Sequence, residues 1–126
     1  MIEAARAVLK NSYSPYSKYR VASAVLDDRG RISVGTNVEN ASYGGTICAE
    51  RAAVFSAVTH GARRIEAVVV VTENKSPWPP CGMCRQVLAE FASANTPVIL
   101  KSTKGPAKRL TMKALLPYSF TRKHLK

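Results

Sequence analysis

Three cysteines are all the thiols this 126-residue chain has, and two stand together in Pro79-Pro80-Cys81-Gly82-Met83-Cys84-Arg85-Gln86. A Cys-x-x-Cys pair serves as a redox dithiol, as half of a zinc site or as two small buried hydrophobes, and the spacing does not choose among these. The third cysteine decides. It opens Cys48-Ala49-Glu50-Arg51, so a carboxylate stands two residues from the thiol. If the three sulfurs meet, they form a soft donor set that favours zinc. A structural zinc site needs a fourth protein ligand, whereas a catalytic one leaves a position for water. His60 lies twelve residues beyond Cys48 on one helical run, ~18 Å away at 1.5 Å per residue, and His124 belongs to a basic tail. Neither is placed to close the tetrahedron, and an open site implies a water whose pKa falls toward neutrality. Glu50 is then the proton shuttle. Its plainer role is that of an acid in a first helical turn, complementing the dipole. Arg51 and Arg85 follow the cysteines; Zn²⁺ with three thiolates carries net −1, which a guanidinium donating to sulfur offsets.

The elements must bring these groups together. Residues 2–11 place Ile2, Ala5, Val8 and Leu9 on one helical stripe, and 21–36 read as two strands joined at Asp28-Arg29-Gly30. A polar loop, NVENASYGGT, leads to a helix over 48–60 that ends at Gly61, and 65–72 is a continuous apolar run suited to a central strand. The prolines of ENKSPWPP mark a loop, residues 81–94 a second helix and 97–102 another strand. This order predicts parallel neighbours with right-handed crossovers on a sheet whose first two strands are antiparallel. Cys48 and Cys81 then open two crossover helices at one end of the sheet, outside the carboxyl ends of adjacent strands, with Cys84 one turn on. Helix N-termini also favour thiolate.

Composition agrees with one compact domain. A chain of this length that is 46% hydrophobic buries roughly two-thirds of its unfolded surface. Glu3, Arg6 and Lys10 interrupt the apolar residues of the start, and no stretch approaches the ~20 apolar residues of a membrane span. The chain reads as soluble and cytoplasmic, and three cysteines without signs of export argue against a disulfide framework. The net charge of +11 raises nucleic-acid binding. Residues 101–126 hold eight bases and no acid, but no aromatics interleave with them as a stacking platform requires. TRKHLK reads as a frayed tail, so the domain spans 1–120 with a basic tail at 121–126.

Cys48-Ala49-Glu50-Arg51 followed by Pro80-Cys81-Gly82-Met83-Cys84-Arg85-Gln86 resembles the zinc signature of the cytidine deaminase family in its three-cysteine variety. Ser14-Pro15-Tyr16-Ser17, Asn37-Val38-Glu39-Asn40-Ala41-Ser42-Tyr43-Gly44, Gln86-Val87-Leu88-Ala89-Glu90-Phe91 and Leu115-Leu116-Pro117 through Phe120 resemble family segments in the same order, from about residue 12 to 120. The resemblance implies a three-layer α/β/α fold with a mixed sheet of about five strands. It implies one zinc held by Cys48, Cys81 and Cys84, with zinc hydroxide attacking C4 of the pyrimidine while Glu50 passes protons to N3 and then to the leaving amine. Cytidine and deoxycytidine would give uridine and deoxyuridine plus ammonia, as in pyrimidine salvage. Asn37 and Glu39 match the ribose-binding pair, and Tyr19 and Ala49 complete the substrate contacts. A homotetramer with shared sites is implied too, with Tyr43 and Phe120 reaching across an interface.

Five positions depart from the family pattern. Tyr19 stands where a Phe is usual, Ala22-Ser23 replaces Gly-Ala, Pro79 replaces a Ser and Gly45 replaces a Leu. Tyr19 can still stack on a pyrimidine, and Pro79 keeps a backbone carbonyl able to accept from the substrate amine. The Ala-Ser replacement resembles the blasticidin S deaminases, so a modified cytosine nucleoside is the alternative substrate. Polynucleotide editing and a non-catalytic zinc module are the remaining readings.

Overall fold

The computed structural model describes residues 1–125. Five strands, β1 (Val21–Asp27), β2 (Ile32–Thr36), β3 (Ile65–Thr72), β4 (Pro97–Ser102) and β5 (Ala107–Thr111), form one sheet in the order β2-β1-β3-β4-β5. Only β3 and β4 run parallel; β1 is antiparallel to both β2 and β3, and β5 to β4. Helix α1 (Ile2–Val8) covers one face, where Ala5 and Leu9 pack on Ala22, Ala24, Val69 and Val71. Helices α2 (Ala49–Thr59) and α3 (Gly82–Phe91) cover the other, where Val54, Ala57 and Leu88 meet Val25, Val68, Val70, Val98 and Leu100. A short α4 (Met112–Leu115) closes this second core through Met112 and Leu115. The layers are therefore α/β/α, as expected, and β3 is buried on both faces because both helix layers rest on it.

Three details differ from the sequence reading. Strand β1 lies between β2 and β3, so the α2 crossover passes over a strand instead of joining neighbours; β1 has two apolar faces and takes a central place, with Ala22, Ala24 and Val25 wholly buried. Residues 107–111 form an edge strand that a basic, weakly alternating sequence conceals, since an edge needs only its backbone to pair. Helix α3 stops at Phe91 and not at 94: Ala92 turns extended and bridges to Ile65, and Ser93 N–H donates to Thr96 Oγ1. The basic end is also folded where a frayed tail was expected, with a 3-10 turn at Arg122–Leu125 and the His124 ring stacked on Phe120. No helix among the described residues is long and apolar enough to cross a membrane.

Two local devices seat the parts that carry the site. At the β1–β2 turn the Asp27 carboxylate accepts from the backbone N–H groups of Arg29 and Arg31 and from Arg31 Nε, while Gly30 takes a φ of 78°. Burial raises the Asp27 pKa, and these hydrogen bonds outweigh it and hold the pKa below the usual carboxylate value. On β2, a Cβ on Gly35 would stand 2.5 Å from Ala53 N and 2.7 Å from Ala49 O. The missing side chain lets the first turns of α2 lie directly on β2. Gly35→Ala is expected to lower stability by roughly 1–3 kcal/mol, the cost of overpacking a filled core, and to displace the α2 start. Denaturant titration tests this, and an unaltered midpoint would contradict so close a contact.

Candidate metal centre and active site

The cap positions of two helices carry two of the cysteines. Cys48 caps α2 and Cys81 caps α3, each in extended conformation, and Cys84 lies in the first turn of α3. Their sulfurs all lie within 4.8 Å of one another, with Cys48 and Cys81 3.8 Å apart and Cys81 and Cys84 3.3 Å apart. Thiolates at ~2.3 Å around a tetrahedral zinc would be about 3.8 Å apart, so the three fit one zinc ion with little movement. All three are free thiols. Neither histidine approaches: His60 bonds Ser56 O at the end of α2, and His124 sits on Phe120.

Charge at the cluster is arranged to receive a cation. A hydrogen bond from Cys84, assisted by Arg51, brings the Cys48 pKa down to about 5, and the same bond to Cys48 pushes the buried Cys84 thiol up. Arg51 donates to Cys48 Sγ at 3.4 Å and to Met83 Sδ at 2.9 Å, and its Nε is buried without a partner. Among the described residues it pairs with no carboxylate, so its counter-charge is thiolate. Arg85 does not act as expected: Nε donates to Pro80 O and a terminal nitrogen to Leu115 O, both at 2.8 Å. It fastens the α3 start to α4 and is bonded to no sulfur, because the carbonyls of Pro80 and Leu115 offer stronger acceptors than a thiol.

Beside the sulfurs lies a cavity of about 220 Å³. Glu50 and Ala49 of α2 line it together with Cys48, Cys81 and Pro79. Glu50 is 5% exposed, and burial pushes its pKa up to about 7. Asn37 and Glu39 line it further out. Their segment is clamped between neighbours, for Val38 bridges Tyr13 on one side and Ile47 on the other. Asn37 Oδ1 accepts from Ser12 Oγ and from Val21 N–H, and its amide donates to Tyr19 O at 2.8 Å. Glu39 accepts from the N–H groups of Tyr16 and Ser17 and from Ser17 Oγ, bonds that hold its pKa low, the Ser17 hydroxyl contributing most.

Other expected contacts lie elsewhere within one chain. Tyr19 does not line the cavity; its ring lies 4.8 Å from that of Trp78, which does. Trp78 escaped the sequence reading, although a lone tryptophan between prolines three residues before a cysteine was a usable signal. Tyr43 is 78% exposed and packs edge-on to Tyr16, and Phe120 is 57% exposed, its carbonyl accepting from Gln86. Ala22 and Ser23 are buried within the sheet, and the Ser23 hydroxyl donates to Val69 O at 2.7 Å. That departure serves packing and does not face the cavity. Nothing in the structure requires glycine at 45, where a Cβ would meet only Asn40 at 3.6 Å.

These contacts separate a ligand from its charge partner in an experiment. Cys81→Ala is expected to reduce bound zinc from about one per chain to far below one, whereas Arg51→Leu keeps stoichiometry but surrenders zinc to a chelator sooner. Metal analysis and chelator competition read both effects, and full zinc in Cys81→Ala would remove that ligand from the set.

Similarity to known proteins covers the same elements. Residues 1–100, with all three cysteines, match the cytidine and deoxycytidylate deaminase zinc-binding region. The chain is 45% identical over 121 residues to a cytidine deaminase of Halalkalibacterium halodurans, covering 96% of this chain and 92% of that one. It is 42% identical over 125 residues to that of Sporosarcina psychrophila, covering 99% and 92%. The crystal structure of cytidine deaminase from Burkholderia pseudomallei superposes with a TM-score of 0.89 at 42% identity, over 94% of this chain and 95% of that one. Sheet order, helix starts and cysteine cluster thus come with a sequence likeness that runs nearly end to end, and the chain belongs to the cytidine deaminase family.

Proposed function

We propose that the protein hydrolyses the amino group of cytidine and deoxycytidine, releasing ammonia and leaving uridine or deoxyuridine, in pyrimidine salvage. The observation that carries this reading is the meeting of three sulfurs and one buried carboxyl group at two helix starts beside a single cavity. Zinc held by Cys48, Cys81 and Cys84 supplies the Lewis acidity that makes water nucleophilic near neutral pH. Glu50 handles the protons, as the corresponding glutamate does in zinc deaminases generally. It accepts one proton as the water oxygen adds to C4 and places it on N3. The second goes to the amine, which leaves as ammonia. A carboxyl group poised near 7 both accepts and donates at physiological pH.

The remaining groups bind and orient. The Ala49 N–H, in the first turn of α2 and without an intrahelical acceptor, is a donor for the pyrimidine carbonyl. Asn37 and Glu39 hold the ribose hydroxyls, and their own bonds to Ser12, Tyr19, Tyr16 and Ser17 fix them before the sugar arrives. The Pro79 carbonyl is the acceptor for the amine. Three free thiols in one cluster suit the reducing cytoplasm.

The cavity of a single chain, about 220 Å³, is smaller than the ~300 Å³ at which ligand pockets usually begin. We propose a homotetramer in which Phe120 and Tyr43, exposed in one chain, reach a neighbour's cavity. Light scattering is expected to give the mass of four chains, and an active monomer would overturn the arrangement.

The ultraviolet absorbance change of cytidine, followed with metal-quantified protein beside Glu50→Gln, tests the reaction and the role of the carboxylate together. Wild type should deaminate, and the variant should keep zinc while losing roughly 10²- to 10⁴-fold in kcat. Residual activity within a few-fold of wild type would dismiss Glu50 as the proton carrier.

A further inference from the structure

We infer that Trp78 is the aromatic wall on which the pyrimidine ring of the nucleoside packs, and that Tyr19 acts behind it as a positioning residue. The inference rests on the deamination reading. Of the two rings, only Trp78 lines the cavity that also exposes Glu50 and the metal cradle. Tyr19, outside the lining, meets the indole with ring centroids 4.8 Å apart and planes tilted by 59°, a separation at which aromatic pairs attract. The usual aromatic of this family region is therefore not lost at Tyr19; its place at the cavity has passed to the indole.

The backbone makes the indole a fixed surface. Pro77 and Pro79 flank Trp78 and Pro80 follows, so φ is locked at three positions around it, and Ser76, Trp78 and Pro79 each precede a proline and are held extended. This stiff segment ends at Cys81, a metal ligand, which places the indole at the end of the cavity where the base must react. Its other end is tied down: Glu73, one residue beyond β3, forms a bidentate pair with Arg20, at 2.6 Å to Nε and 2.5 Å to a terminal nitrogen. Arg20 follows Tyr19 directly, so the same pair holds both rings in register. A flat π-face needs no donor–acceptor match, and such a wall adds affinity for the pyrimidine ring whatever its sugar carries.

The chain has one tryptophan, so its emission reports on this wall alone. Uridine, as the product, is the probe because it binds without turnover. Saturating uridine is expected to quench and shift the emission of the zinc-loaded wild type. Trp78→Ala should raise the uridine inhibition constant and lower kcat/KM for cytidine roughly tenfold, with Trp78→Phe restoring most of both. Tyr19→Ala should shift the emission of the free protein and raise KM more than it lowers kcat, and Tyr19→Phe should not. Unchanged emission at a uridine concentration that fully inhibits would overturn the inference without depending on any variant's folding. Wild-type values in a folded, zinc-loaded Trp78→Ala would also overturn it. A wild type that neither deaminates cytidine nor is inhibited by uridine refutes the deamination reading itself.

Discussion

Three sulfurs within 4.8 Å of one another cannot all ionise unless a cation stands among them, and much of the molecule serves that demand. The chain meets part of it alone. Two of the thiols cap helices, where unpaired N–H groups favour negative charge, and Arg51 adds a cation that, among the described residues, no carboxylate neutralises. The hydrogen bond from Cys84 and the Arg51 guanidinium lower the Cys48 pKa, and the three sulfurs form a cradle for a cation. Two helix starts must stand side by side for this to happen. Their closeness depends on α2 lying flat on β2 at Gly35 and on Arg85 fixing the start of α3 through Pro80 and Leu115.

The same arrangement sets the character of Glu50. A carboxylate at a first helical turn is ordinarily stabilised, but this one is buried between the helix and the sheet, and desolvation outweighs the dipole. Asn37 and Glu39 show the opposite treatment. Both are held by hydrogen bonds with the 12–21 segment, which fix their orientation at the cavity before any ligand is present. One end of the cavity therefore has a carboxyl group whose pKa burial raises to about 7, and the other has groups fixed by their own hydrogen bonds.

Aromatic side chains divide along similar lines. Trp78 and Tyr19 form a pair held by prolines and by the Arg20–Glu73 ion pair, whereas Tyr43 and Phe120 stand on the surface of the single chain. Of the first pair, Trp78 lines the cavity of its own chain and Tyr19 packs against it. The Ala22-Ser23 departure, a hint of a different substrate when read in one dimension, turns out to satisfy Val69 O inside the sheet.

Periodicity and turn residues were enough to place the first hairpin, the central strand and the starts of both crossover helices, since each has an apolar pattern of its own and a glycine or proline stands near its bounds. The cysteine spacing and Glu50 were equally legible, because a helix start ties its first turn to fixed positions along the chain. Which strand lies between which was not, because pairing partners are chosen by burial on both faces and β1 competes for the centre only when both helix layers are present. Strand β5 escaped because an edge is recruited by a neighbour's backbone and not by its own side chains. The destinations of Arg85, Tyr19 and Trp78 were decided by tertiary contacts alone: a carbonyl 30 residues away and a ring from another loop are invisible to local pattern. The sequence by itself determined which chemistry the chain can do. The folded structure decided which side chains stand close enough to share in it, because those distances are set by packing across the sheet.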